Sequence, residues 1–194
     1  MRPSSLPERL RLLESDLLAD PPRISAYSDL PCALFRYDPT AEWDMRGELR
    51  KLKTRLENAG KRVHLVSLAE FLWEAIDKSE GLAPVVQLER ERGWEAAQEQ
   101  VAAYLSGQVV FHLPSAILDR LSALDPKRDI GLVWRAGALA PGFYLLSKLV
   151  NEWTGKLSVP TVLFFPGTAE AGELRFMGLV GRESAHSYRV KTYV

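Results

Sequence analysis

The residues of this chain that could do chemistry lie in short, separated stretches, and the glycine-containing ones come first. A glycine-rich turn after a strand can bring backbone N–H groups onto a phosphate, provided that a helix begins there. TVLFFPGTAEAGELRFMGL, residues 161–179, runs a hydrophobic segment into Pro166-Gly167 and then turns apolar again. It lacks the lysine and the Ser or Thr of a GxxxxGK[ST] loop and leads toward a second strand-like run, so it reads as a Pro-Gly corner in a sheet. RAGALAPG, residues 135–142, is better placed, between the strand-like DIGLVWR and a helical pattern. Open α/β sheets seat their ligands at the carboxyl ends of strands, where Arg135 beside the Gly137 turn could hold an anion. The stretch fits no dinucleotide fingerprint, and an ordinary strand-to-helix connection is the competing and favoured reading.

Acid-base and metal chemistry finds less. His64, His112 and His186 fall in different segments without an HxxxH, an HExxH or a cysteine partner, so no metal ligand set emerges. Asp38 ends a strand-like run on the expected ligand edge, yet the following Pro39 makes a turn-forming aspartate the stronger reading. Asp129 stands at the opposite end of its strand. Ser67, Ser115 and Ser147 lack the GxSxG elbow of a hydrolase nucleophile. Cys32, the single cysteine, sits in the apolar PCALFRY and reads as a small buried hydrophobe. No catalytic residue and no cofactor is implied.

The elements that would carry these residues follow from periodicity. Leu6, Leu10, Leu13 and Leu17 share one face of a helix over 4–18, with Ser4 or Ser5 as cap and Pro21-Pro22 as stop. CALFRYD, 32–38, is a strand. From Thr40, the residues Met45, Leu49, Leu52, Leu56 and Ala59 line an amphipathic helix that ends at Asn58 to Gly60. VHLVSL is a strand leading directly into a helix with Phe71, Leu72, Ala75 and Ile76. Residues 82–105 read as helical with a break near Gly93, and QLERERGWEAAQEQ is too polar to be buried along its length. Ile117, Leu118, Leu121 and Leu124 mark a further helix. DIGLVWR is a strand with both faces covered, Phe143 to Trp153 a helix, and VPTVLFFPG the most hydrophobic strand, suited to a central place. ELRFMGLV and SYRVKTYV read as a closing β-hairpin that turns at Gly181 to Ser184. This order predicts an α/β fold: a single domain over 1–194 with a mostly parallel central sheet flanked by helices. Its layering is Rossmann-like or P-loop-like, without a P-loop, and it ends in a hairpin.

Composition narrows the function classes. Hydrophobic residues at 46% and charged residues at 26% are those of an ordinary globular domain rather than a disordered chain. The 25 basic and 25 acidic residues cancel, so net charge offers no attraction to nucleic acid or an anionic membrane. The basic residues of the second helix, Arg50 and Lys53 among them, are the candidate nucleic-acid contacts, but their spacing is that of a solvated face with pairs such as Lys53 to Glu57. Charges threaded through the N-terminal leucines exclude a signal-peptide core, and no run reaches membrane-spanning length. A cytoplasmic location is the expectation.

An ordered set of segments then carries a resemblance. LPERLRLLESDLLAD, CALFRYDPTAEWDMRGELRKLKTRLENAG, VHLVSLAEFLWEAI, QLERERG, DIGLVWRAGALAP and above all VPTVLFFPGTAEAGELRFMGL resemble the BrxB family of BREX bacteriophage-exclusion systems, over nearly the whole chain. The resemblance implies a small component acting beside a large ATPase, a DNA adenine methyltransferase and a PglZ-type phosphatase-like protein. It carries over no catalytic residue. VWRAGALAP departs from the usual form of its segment, which tends to a shorter acidic or glycine-containing turn. The leading expectation is therefore an interaction protein that docks to other BREX proteins, the PglZ-type protein first. A nucleotide- or phosphate-binding protein using Arg135, and a DNA-binding accessory subunit using the basic helix, are the alternatives.

Overall fold

The computed structural model describes residues 5–25, 30–107, 109–170, 173–179 and 190–194. Helix α1 spans Leu6–Leu18 and buries Leu10, Leu13 and Leu17. At its start, the Ser5 N–H and hydroxyl both donate to Glu8 Oε2, at 2.7 and 2.9 Å. Strand β1, Cys32–Tyr37, leads through a 3-10 turn at Pro39–Ala41 into α2, Glu42–Asn58, whose Met45, Leu49, Leu52 and Leu56 are buried as the spacing predicts. β2, Arg62–Ser67, passes without a loop into α3, Leu68–Ser79. The expected break at Gly93 divides α4, Leu82–Arg92, from α5, Trp94–Ser106. There φ is 89°, a left-handed conformation that suits glycine. α6 is Leu113–Ser122 and β3 is Asp129–Trp134, followed by a 3-10 turn at Ala136–Leu139 and α7, Leu146–Trp153. β4, Thr161–Glu170, β5, Glu173–Phe176, and β6, Lys191–Tyr193, complete the fold.

The sheet order is β2-β3-β4-β1-β6, with β5 attached to β4. The five strands of the main path are parallel, Leu132 standing beside Val162, Phe164 beside Phe35, and Phe35 beside Tyr193. Alternation along each strand builds two cores. Cys32, Leu34, Val133, Leu163 and Phe165 pack with α3 to α7. Ala33, Phe35, Leu132, Val162 and Phe164 face α1 and α2. β4 contributes a run of fully buried residues to both, which confirms its central place.

Two expectations about the end of the chain are corrected. Pro166-Gly167 is no corner: β4 continues through it to Glu170 and changes partner there. Its first half pairs with β1 and β3, and Gly167 to Glu170 pair antiparallel with β5. A Cβ on Gly167 would fall 2.3 Å from Arg175 O and 2.5 Å from Phe165 Cε1, so only glycine lets the strands approach at this switch. The closing hairpin is likewise not among the pairings of the described residues, since β5 takes β4 as its partner and β6 lies parallel to β1. Its expected turn at Gly181 to Ser184 lies outside the described residues, as does His186.

Charged ties hold the ends. β6 is anchored to α1 through the buried Asp16, which accepts from Lys191 Nζ and from the Tyr193 hydroxyl, both at 2.7 Å. At the amino edge of the sheet, Asp129 receives Arg62 in bidentate fashion at 2.6 and 2.7 Å. It also contacts His64 Nε2 at 3.1 Å and accepts the Asp125 N–H at 2.7 Å. Burial alone would raise the Asp129 carboxyl, but the Asp125 N–H, Arg62 and His64 outweigh it and hold the group at about 2.

Two stability predictions follow from this architecture. Gly167→Ala lowers the unfolding free energy by about 2–3 kcal/mol through overpacking, whereas Gly47→Ala raises it by about 0.5–1 kcal/mol. Gly47 lies inside α2 with nothing within 4 Å of an added Cβ. Denaturant unfolding of both variants reads the difference. Asp129→Asn costs about 2 kcal/mol at neutral pH by weakening hydrogen bonds to a charged acceptor. Because the folded carboxyl titrates below its unfolded counterpart, that contribution is complete above about pH 5 and is lost as pH falls toward 2. The gap between wild type and variant in acid unfolding should close over this window.

Candidate functional site

β1 and β3 flank β4, and their connections leave for opposite faces of the sheet, toward α2 and toward α7. Divergence of this kind opens a crevice over the carboxyl ends of the strands. Here it has a volume of about 280 Å³ and is walled by Pro39, Glu42, Arg46, Arg135, Gly137 and Pro166, with Met177 at the side. A narrow cleft beneath it reaches Tyr37, Trp134 and Phe164.

The chemistry of the crevice centres on two guanidinium groups. Arg46 donates from Nε to Glu42 Oε1 at 2.9 Å, and the Tyr37 hydroxyl donates to the other oxygen of Glu42. Burial, reinforced by that carboxylate, pushes the Tyr37 hydroxyl well above its ordinary range, so it remains a donor. The Arg46 guanidinium lies 4.4 Å from the Trp43 ring centroid and 5.9 Å from that of Trp134, and Arg135 stands 5.8 Å from the same Trp134 ring. Both cations thus flank one indole. Among the described residues the buried Trp134 Nε1–H has no acceptor, and Arg135 has no carboxylate partner. Arg135 is also held in the left-handed region, φ 59° and ψ 36°, by the turn in which Ala136 and Leu139 are buried. That conformation disfavours a side-chain-bearing residue by about 1–2 kcal/mol and recurs at functional sites.

The structure brings Arg135 and Gly137 to this crevice and leaves Asp38 beside it. Asp38 Oδ1 accepts the Thr40 hydroxyl at 2.6 Å and the Thr40 N–H at 2.8 Å, which hold the carboxyl below its usual range in a turn that starts the 3-10 segment. Glu42, Trp43, Arg46 and Trp134 were not read from the sequence as members of a site. Their only signal was that Arg46 lies on the first turns of the helix after β1. Arg50 is exposed on the outer face of α2. Lys53 donates to Glu57 Oε1 at 2.6 Å and to Val63 O at 2.9 Å. Arg55 is paired with Glu14, and Lys51 with Glu48, both at 2.7 Å.

A second constellation lies in a wider cavity of about 750 Å³ on the α6–α7 side. His112 contacts Ser115 Oγ through Nδ1 at 2.9 Å and Glu152 through Nε2 at 3.2 Å, the order of nucleophile, base and acid. The surroundings assign it to the start of α6. The N–H after the serine, on Ala116, donates to His112 O at 2.9 Å, and Pro114 has no N–H. The N–H that follows the serine is therefore taken up by the helix, and the residue before the serine has none to offer. Among the described residues, no group of three His, Cys, Asp or Glu side chains could hold a metal ion. Burial pushes the Cys32 thiol up to about 12, which keeps it protonated and inert. No described helix is long and apolar enough to cross a membrane.

A family model described as BREX protein BrxB matches residues 64–192. The match runs from within β2 through the whole α3–α6 crossover, β3 with the Arg135 turn, α7, β4 and β5 into β6. No curated protein and no solved structure matches the chain.

The Arg135 conformation supplies a test of this site. Arg135→Gly should raise the unfolding free energy by up to about 1 kcal/mol, because glycine adopts the left-handed region without penalty. A loss of stability in thermal or denaturant unfolding would instead make Arg135 a structural residue.

Proposed function

The chain belongs to the BrxB family and is a component of a BREX system, and from that premise we propose that it is a non-catalytic assembly subunit, cytoplasmic, that docks to the PglZ-type protein. The observation that carries this reading is the α4–α5 arm. Its first helix buries only Val85, and its nearest packing partner is α5, which in turn leans on α3. Along this arm and its support, large apolar side chains face solvent: Leu82, Trp94 on α5 and Trp73 on α3 are 46%, 54% and 52% exposed. Exposed tryptophans of this kind are the typical anchors of protein interfaces, because one indole buries a large area with few rotamers to fix. The charged residues between them, Glu89 to Arg92, suit a polar rim.

Pairwise co-expression and co-purification with the PglZ-type protein, the ATPase and the methyltransferase tests the proposal. Stable association with the PglZ-type protein is expected, weakened at least tenfold by Trp94→Ala combined with Leu82→Ser. Association with a different BREX protein would move the partner, and association with none would overturn the reading.

A further inference from the structure

The assembly role makes no use of the crevice at the carboxyl edge of the sheet, where two arginines share the walls with the carboxylate of Glu42. We propose that this crevice binds the phosphate group of a small ligand of mononucleotide size, and that Glu42 is a resident anion which the phosphate displaces from Arg46.

The charges point this way. Of the described residues walling the crevice, Arg46 and Arg135 are the cations and Glu42 is the one acid. The two guanidinium groups lie 5.9 and 5.8 Å from the Trp134 ring centroid, and both border the same crevice. Only one of them has a counter-ion among the described residues. Glu42 is shared between Arg46 Nε and the Tyr37 hydroxyl, and the terminal nitrogens of Arg46 remain for a second, bidentate acceptor. A phosphate suits that vacancy in hydrogen bonding, because its oxygens accept a planar guanidinium fork in pairs and its charge balances the second arginine.

The walls fit the same ligand. Gly137 leaves space at the mouth, where a Cβ would only reach ordinary contact with Met177 Sδ at 3.7 Å and Pro166 Cγ at 4.0 Å. Trp43, 77% exposed, stacks against the Arg46 guanidinium at 4.4 Å and helps to hold that side chain in place. At about 280 Å³ the space lies just below the usual size of ligand sites, about 300 to 1,000 Å³, so it suits a mononucleotide better than a dinucleotide. Its position over β4, between diverging connections, is where open α/β sheets place such ligands.

Calorimetry on the full chain, with AMP, inorganic phosphate and adenosine as probes, decides the matter. AMP is expected to bind, inorganic phosphate to bind more weakly, and adenosine to give no heat. Arg135→Asn removes the charge while tolerating the left-handed backbone, and should weaken AMP at least tenfold with the unfolding midpoint unchanged. Glu42→Gln keeps an acceptor for Tyr37 but releases Arg46, and should tighten AMP severalfold, an effect that a merely structural Glu42 would not produce. Absence of binding by AMP and phosphate at millimolar concentration overturns the proposal. So does binding that neither variant alters. Retention of duplex DNA without binding of AMP would also overturn it, by making the arginines a nucleic-acid contact.

Discussion

The structure depends on one constraint: Thr161 to Phe165 of β4 must be hidden on every side. Parallel strands β1 and β3 take both of its edges, and the two helical layers take both of its faces. A buried backbone has to satisfy its polar groups internally, and a segment this apolar has no solvent-facing alternative, so the remaining strands are arranged around it. β1 is reached early in the chain and β3 late. Their placement on opposite sides of β4 therefore forces the intervening connections onto both faces.

That arrangement gives the two edges of the sheet different chemistry. At the amino edge, Asp129 gathers Arg62, His64 and the Asp125 N–H into a satisfied cluster that joins β2 to β3. At the carboxyl edge the backbone diverges, charge is left incompletely matched, and Arg135 sits in a left-handed turn imposed by the buried Ala136 and Leu139. The stable edge is closed by its own ion pairs. The opposite edge combines donors without acceptors, a conformational penalty and open volume, the features that separate a site from a joint.

The arm arises from the same topology. The crossover from β2 to β3 needs only one helix to span adjacent parallel strands, yet it carries α3, α4, α5 and α6. α3 and α6 bury Phe71, Ile76, Leu113 and Ile117 in the core of that face, and α5 adds Val101 and Leu105 to it. The additional α4–α5 hairpin is held chiefly by itself and by α3, which is why Leu82 and Trp94 reach solvent.

Periodicity by itself determined most of the elements and which side of each is buried, though not that β4 runs on through Pro166-Gly167 to Glu170. The leucines of α1 and α2, the break at Gly93 and the central rank of VPTVLFF were legible because each is encoded by near neighbours in the chain. The place of Arg135 and Gly137 at the carboxyl end of a strand was legible for a similar reason, since a strand-to-helix junction is a local pattern. Pairing was not. β5 and β6 have mixed polarity that suits a hairpin as well as two separate partners, and the choice was made by the close approach at Gly167 and by the buried Asp16 that receives Lys191 and Tyr193. The convergence of Arg46 and Arg135 on one indole was equally hidden, because it depends on β1 and β3 standing on either side of β4. Local sequence sets the faces of each element, but only the folded sheet decides which distant charges become neighbours, since that depends on contacts that no single segment contains.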